Sequence, residues 1–305
     1  MKTRIILAGG SGFIGSSLTP SLLSRDYEVV ILTRSPSTQR GGVRYAQWDG
    51  KTIGAWTQFM DGAGAVINLT GRSINCRHTP ENRREIIESR VNSVRLLGEA
   101  ITKCAQPPKV FVQASGIGFY GDRGDCWCDE NTPQGDDFIA EVCKRWEAAF
   151  VALEMPGTRK VLMRLGVVLG PDGGFLKILS RLTRFFLGGQ VGNGQQFISW
   201  IHIADLHCMV QWAIESEKVV GIFNASSPNP ARNAHFMREL RRALHRPWSP
   251  PVPKWGARIG SWLMGTEASL ALVSQRAVPK HFLESGFKFE FPELRRALAN
   301  IYPSR

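Results

Sequence analysis

Residues 4–15 read Arg4-Ile5-Ile6-Leu7-Ala8-Gly9-Gly10-Ser11-Gly12-Phe13-Ile14-Gly15, an apolar run of strand length that enters a glycine-rich turn. A helical pattern follows at once, Ser16 to Ser24, with Leu18, Leu22 and Leu23 on one face. The first turn of a helix exposes unpaired N–H groups and a partial positive charge, which suits an anion. Glycines let such a turn close tightly, let a pyrophosphate approach the backbone and let the helix pack close to the strand. The motif stands between a first strand and a first helix, where this mechanism needs it, and so predicts a dinucleotide site at Gly9, Ser11, Gly12, Phe13 and Ile14.

The second apolar run is Glu28-Val29-Val30-Ile31-Leu32. A site that prefers NAD places a carboxylate at the end of this strand, about 20 residues past the glycines, to hold the ribose hydroxyls. Here the sequence is Leu32-Thr33-Arg34-Ser35, with no carboxylate. The fixed cationic fork of Arg34 suits a phosphate monoester, so NADP is expected over NAD. A third strand, Val43 to Trp48, ends in Asp49 near the expected adenine edge, and a helical pattern runs from Thr52 to Met60. The fourth strand, Ala65 to Leu69, runs into Thr70-Gly71, so Asn68, Leu69, Thr70 and Gly71 are expected to border the cofactor ribose.

The alternation continues with a helix over Pro80 to Lys103, a strand over Lys109 to Ala114 ending in Ser115-Gly116, a helix over Phe138 to Leu153 and a strand over Lys160 to Leu169. Such alternation predicts an α/β fold, a doubly wound parallel Rossmann sheet with right-handed crossovers. Beyond Gly174 the pattern predicts a helix over Leu176 to Phe186, a mobile glycine-rich loop over Gly188 to Gly194, a helix over Leu206 to Glu215, a strand over Gly221 to Asn224 and a helix over Ala234 to Leu244. Pro247 to Pro253 is a stiff connection, and the remainder is mostly helical with one extended piece at Gly286 to Phe289. The expected division is a nucleotide-binding domain over 1–245 and a small helical domain over 246–305 that covers the cleft.

The chain has 305 residues, 43% hydrophobic and 21% charged, with a formal net charge of +12. Its six cysteines are scattered, and Cys126-Trp127-Cys128 is the one close pair, so reduced thiols and no metal site are expected. The basic residues spread over helices and favour anionic ligands, including a phosphorylated cofactor; no nucleic-acid motif is present, so no specific nucleic-acid partner is expected. No run of about 18 apolar residues occurs, so no membrane partner is expected. The opening residues read as a strand rather than a signal peptide, which suggests the cytosol.

The opening GGSGFIG, the Ser115 strand end and RLGVVLG (Arg164–Gly170) together resemble the extended short-chain dehydrogenase/reductases, the group that holds the sugar-nucleotide epimerases. More narrowly the chain resembles an atypical branch, epimerase family proteins of the YfcH type, sometimes labelled SulA homologues. The matching pieces run from end to end: LTRSP (Leu32–Pro36), AVINLTG (Ala65–Gly71), IIESRVNS (Ile86–Ser93), FYGDRGD (Phe119–Asp125), EVCKRWEAA (Glu141–Ala149) and SWIHIAD (Ser199–Asp205). VPKW (Val252–Trp255) and SQRAVPKHFLESGFKF (Ser274–Phe289) resemble that branch's uncharacterised C-terminal domain. The resemblance implies NADP at the glycine turn, with Arg90 and Val167 also at the cofactor, and Arg90 open to a substrate acid as well. Thr70-Gly71-Arg72 departs from the branch, where an alanine and then a glutamate stand around the glycine, so the charge near Arg72 is open.

In better-studied relatives a serine polarises a carbonyl, a tyrosine moves the proton, and a lysine four residues later lowers the tyrosine pKa. The resemblance puts Ser115 in the serine position. With Glu147 as the anchor of that helix, the lysine place is Cys143 and the tyrosine place is Ile139, and neither can do the job. Of Tyr27, Tyr45, Tyr120 and Tyr302, only Tyr120 follows the Ser115 strand end. Ser115 and Tyr120 are therefore expected to face the reacting group, with Asp122 or Lys144 supplying charge. His202, between Ile201 and Ile203, reads as a hydrogen-bonded structural histidine, and Trp200 with the Gly188–Gly194 loop as pocket lining. These readings describe an NADP-dependent oxidoreductase or epimerase of a small carbonyl or hydroxyl compound with non-standard catalytic residues. The other reading is a non-catalytic NADP(H)-binding redox sensor or regulator, acting on a partner in cell division. The partner expected of the enzyme is a small-molecule substrate, and the oligomeric state is open.

Overall fold

The computed structural model describes residues 2–263, 265, 267 and 272–303. The first half of the chain runs β1 (Arg4–Ala8), α1 (Phe13–Leu23), β2 (Glu28–Thr33), β3 (Thr38–Arg40), β4 (Val43–Gln47), β5 (Ala65–Asn68), α2 (Pro80–Thr102), β6 (Val110–Gly116), β7 (Trp127–Cys128) and α3 (Phe138–Val151). It continues with β8 (Arg159–Leu165), β9 (Val167–Leu169), α4 (Gly174–Arg184), β10 (Phe197–Ile198), β11 (Trp200–His202), α5 (Ile203–Glu215) and β12 (Gly221–Ala225). Then follow β13 (Ala231–Arg232), α6 (Asn233–Ala243), α7 (Lys254–Leu263), β14 (Arg276–Ala277), α8 (Lys280–Glu284) and α9 (Leu294–Ile301).

Eight strands form one sheet in the order β12-β8-β6-β5-β1-β2-β4-β3. Every pairing in it is parallel except β3 with β4. The continuous apolar runs of β1, β2 and β5 are buried because helices cover both faces. Leu18 and Leu22 of α1 and Leu206, Met209 and Val210 of α5 pack on one face; Val94, Leu97 and Ile101 of α2 and Trp146 and Phe150 of α3 pack on the other. Each such side chain contributes about 1.5–3 kcal/mol by leaving water. The helix starts are set by local chemistry. The Thr79 side chain accepts from Asn82 N ahead of Pro80, and Asp137 accepts from Ala140 N at 2.8 Å.

Several expected elements change. The strand over Lys160 to Leu169 breaks at Gly166, whose N–H donates to Ala225 O at 3.0 Å. β8 stays in the main sheet while β9 pairs with β11, and a Cβ at position 166 would lie 3.0 Å from Ser199 O. The helix over Thr52 to Met60 contracts to a 3₁₀ turn, Ala55–Phe59, that begins after Gly54. The Gly188–Gly194 loop, expected to be mobile, is tied down: Gly192 N donates to Val252 O at 2.9 Å, Val252 N to Gln190 O at 2.8 Å, and Arg241 Nη1 to Gly188 O at 2.7 Å. Gly286 to Phe289 forms no strand; Phe287 instead packs its ring on Phe282, Trp212 and Phe289, and the paired segment is β14, which joins β7. Residues after 274 thus feed the main cores, and Asp205 at the start of α5 accepts from Glu290 N and Phe291 N at 2.7 and 3.0 Å.

Candidate functional site

From β1 the sheet grows one way through β2 and the other way through β5, so a crevice opens beyond the ends of β1 and β5. The turn after β1 reaches it at Gly9, whose φ is +78° and whose Cβ would lie 2.9 Å from the Leu69 carbonyl carbon. A Cβ on Gly15 would lie 2.5 Å from Gly10 Cα, which is why α1 packs so closely on its own turn. Gly12 caps α1 without a side-chain hydrogen bond, and the first turn holds no acidic residue, so the N–H groups of Phe13 and Ile14 stay free for an anion beside Ser11. The Phe13 ring itself is structural. It fills the space that a Cβ on Gly173 would need, 2.3 Å away.

Across the crevice, Thr70 N donates to Asn68 Oδ1 at 3.0 Å, and Asn68 is held by Gln113 and Ser93. Thr70 Oγ1 is buried without a partner among the described residues. An unpaired hydroxyl opposite a glycine cradle fits a dinucleotide between β1 and β5. Arg34 is exposed past β2 and makes no ion pair among the described residues. It lines an open groove of about 1130 Å³ with Ser37, Thr38, Gln47 and Trp48. Asp49, expected near the adenine edge, lines the same groove, and its carboxyl is also bonded within its own turn. The N–H groups of Lys51 and Thr52 and the Thr52 hydroxyl hold its carboxyl at a pKa of about 2.

Arg90 reaches the same crevice from α2. Its guanidinium lies over Gly71, 2.9 Å from where a Cβ would stand, and 4.9 Å from the centre of the Trp146 ring. Nη1 donates to the carbonyls of Arg72 and Ile86 at 2.8 and 3.0 Å, and no carboxylate among the described residues pairs with it. Burial lowers its pKa to about 10, so it stays charged at neutral pH, and its charge acts on the Cys143 thiol. Val167 is half-buried at the start of β9, its N–H held by Ser199 O at 2.8 Å.

The place expected for the reacting groups is closed. Ser115 is 4% exposed and donates to Glu147 Oε1 at 2.7 Å. Glu147 also takes both Nε and Nη2 of the buried Arg164, at 3.0 and 2.8 Å. Arg164 Nη1 donates to the Tyr120 hydroxyl at 3.0 Å, and that hydroxyl donates to Asn224 Oδ1 at 2.7 Å. Tyr120 is 0% exposed, and burial pushes its pKa up to about 12. The expectation that Tyr120 faces a substrate is therefore corrected: its ring fills the interior and its oxygen links two strands. Asp122 accepts from Gly124 N and Ser274 N, and Lys144 is exposed on α3, so neither supplies charge to Ser115. His202 caps α5, its Nδ1 accepting from Ala204 N at 3.2 Å, and burial lowers its pKa to about 4. Trp200 is wholly buried, with Nε1 donating to Asn229 O at 3.0 Å, so it packs the interior rather than lining a pocket.

Comparison with known proteins matches this geometry to a family. Residues 5–226 match the NAD dependent epimerase/dehydratase family. The chain belongs to that family. Residues 252–301 match a domain of unknown function, DUF1731. Human epimerase family protein SDR39U1 is 36% identical, over 98% of this chain and 99% of the relative. Epimerase family protein YfhF of Bacillus subtilis is 33% identical over 99% of both chains. The crystal structure of human SDR39U1 (isoform 2) with NADPH superposes with a TM-score of 0.88 at 34% identity, over 98% of this chain and 99% of that one.

Within this epimerase/dehydratase chain the tyrosine and lysine places are filled for packing. Ile139 sits against Gly118, where a Cβ would come within 2.5 Å of it. The Cys143 thiol is pushed up to about 12, first by burial and then by the Glu147 charge, so it neither donates a proton readily nor carries charge. Sequence reasoning missed Arg164, Asn224 and Glu130, whose Oε1 accepts from Asn224 N at 3.0 Å. The available signal was a charge inside the apolar strand Lys160-Val161-Leu162-Met163-Arg164-Leu165, since an arginine there demands a buried partner.

Proposed function

We propose that the chain is an NADP(H)-dependent oxidoreductase or epimerase of a small carbonyl or hydroxyl compound, in which Arg90 stands in for the absent lysine. The observation that carries this reading is the Arg90 guanidinium, charged, over Gly71, beside Cys143 and without a carboxylate partner among the described residues. Bound NADPH would supply a hydride to the carbonyl carbon, and the alkoxide so formed would take its proton from water. The N–H groups at the start of α1 hold the pyrophosphate, Arg34 grips the ribose phosphate, and the Thr70 hydroxyl bonds the sugar. Arg90 places positive charge where a carbonyl oxygen gathers negative charge, beside the closed network in which Ser115 donates to Glu147.

The test is NADPH oxidation by the purified protein over a panel of carbonyl compounds. Arg90→Gln lowers turnover by about a hundredfold, the size of effect seen when a preorganised charge donor is removed, and leaves NADPH binding measurable. Unchanged turnover in Arg90→Gln overturns the role of Arg90. A second reading, an NADP(H)-responsive regulator without turnover, draws on the burial of Tyr120. It is the outcome if NADPH binds tightly and no compound in the panel oxidises it.

A further inference from the structure

The crevice leaves one prominent surface unexplained, where the segment after α4 runs beside the segment that leads into α7. Phe185, Phe186 and Leu187 follow α4 and are 77%, 51% and 57% exposed. Arg246 covers the Phe186 ring at 5.3 Å and donates from Nε to Arg184 O at 3.3 Å. Further along, Val191 and Val252 pair in parallel, so the segments 184–192 and 246–254 form one surface. Trp248 stands on it, 67% exposed. The Lys254 side chain then lies against Gly192, and α7 carries Trp255, Ile259 and Trp262 exposed at helical spacing on one stripe, with Arg77 over the Trp262 ring at 5.3 Å. Of the twelve large apolar side chains that the described residues expose, seven fall in this region.

The charge of the same two stretches is one-sided. Residues 173–204 hold Lys177, Arg181 and Arg184 and no Asp or Glu. Residues 240–266 hold Arg241, Arg242, Arg246, Lys254 and Arg258 and no Asp or Glu. Arg184, Lys254 and Arg258 are exposed among the aromatic side chains. Tryptophan and phenylalanine interleaved with arginine and lysine, with acids excluded, is the composition of surfaces that lie in a lipid headgroup layer.

We propose that this face docks on an anionic lipid surface. A second copy of the chain is a poor occupant, because a two-fold contact would set Arg184, Arg246, Lys254 and Arg258 against the same four. A nucleic acid would answer the charge and the aromatic rings but not the exposed aliphatic Leu187 and Ile259. Contact is peripheral. α7 has 10 residues, and no helix among the described residues is long and apolar enough to cross a membrane. The expected absence of a membrane partner is revised only to this extent.

The experiment is flotation of the full-length protein with vesicles of phosphatidylcholine alone and of phosphatidylcholine with roughly one third phosphatidylglycerol. Binding to the anionic vesicles is expected to be at least about tenfold stronger and to fall with salt, with tryptophan emission moving to the blue. Arg258→Gln lowers that binding about fivefold, and Trp255→Ser combined with Trp262→Ser lowers it at least as much. Retained NADPH binding shows that each variant is folded. Equal binding to both vesicle types overturns the proposal, as does full binding by the double tryptophan variant. Self-association that the same variants abolish would give the face to a second copy. An oligonucleotide bound more tightly than the vesicles would give it to nucleic acid.

Discussion

The ends of β5 and β6 are neighbours in one sheet, yet they carry opposite chemistry. Past β5, polar groups are left open: Thr70 Oγ1 has no partner among the described residues, Arg90 bonds only to carbonyls, and the first N–H groups of α1 meet no capping side chain. Past β6, the polar side chains are turned on one another, and of that network Glu130 Oε2 is left without a partner among the described residues. Ser115, Glu147, Arg164, Tyr120 and Asn224 bond to one another, all of them buried. Open polar groups in a crevice mark a place built to receive a ligand, whereas a mutually bonded buried network rigidifies the fold. In this chain, features suited to holding a dinucleotide persist while the usual proton-relay position has become structural.

The sharpest way to break that contrast is Glu147→Ala. The change strands Arg164, which is 3% exposed, with its charge unmet. A buried ion pair cut on one side costs about 3–5 kcal/mol, a large share of the stability of a typical domain. Urea unfolding should show a loss of that size, with NADPH affinity recovered in whatever fraction stays folded. A loss below about 1 kcal/mol would mean that the network does not hold β6, α3 and β8 together.

The same contrast explains what was readable in advance. The glycine turn and the alternation of apolar runs were legible because both are local. Glycine spacing and strand length are properties of a few consecutive residues, and β1, α1, β2, β5, α2 and α3 fall close to where the pattern put them. Tyr120 was misread because its partners are distant in sequence: Asn224 lies 104 residues away and Arg164 lies 44. Proximity to Ser115 along the chain said nothing about which way the ring turns. The break at Gly166 was hidden for a related reason, since β9 leaves the main sheet to pair with β11, which lies far along the chain.

A smaller effect probes the open side. On the proposed reading Arg34→Ala removes a charge-assisted contact to the cofactor phosphate worth about 1.5–3 kcal/mol, so NADPH binding should weaken by roughly ten- to a hundredfold. NADH affinity and unfolding stability should hardly change, because the side chain is exposed and makes no ion pair among the described residues. Calorimetric titration with both cofactors checks this. Equal losses for NADPH and NADH would move the discriminating group elsewhere in the groove.

The smallest change separates the two regions most cleanly. Tyr120→Phe deletes one oxygen and leaves the packed ring in place. Two bonds to the hydroxyl vanish, from Arg164 and to Asn224, so stability should fall by about 1–2 kcal/mol while NADPH affinity and any turnover stay at the parent level. The alkaline limb of the stability curve adds a sign test. In the native protein burial holds the phenol near a pKa of about 12, above its ordinary value of about 10 when unfolded. Between those values the folded state holds the proton that the unfolded state has released, so the contribution of Tyr120 is full below the lower value and is lost as pH rises through the upper. The phenylalanine variant lacks that contribution and should unfold with a shallower dependence on alkaline pH. A variant that keeps its stability but loses turnover would return Tyr120 to the chemistry and open what the geometry describes as closed.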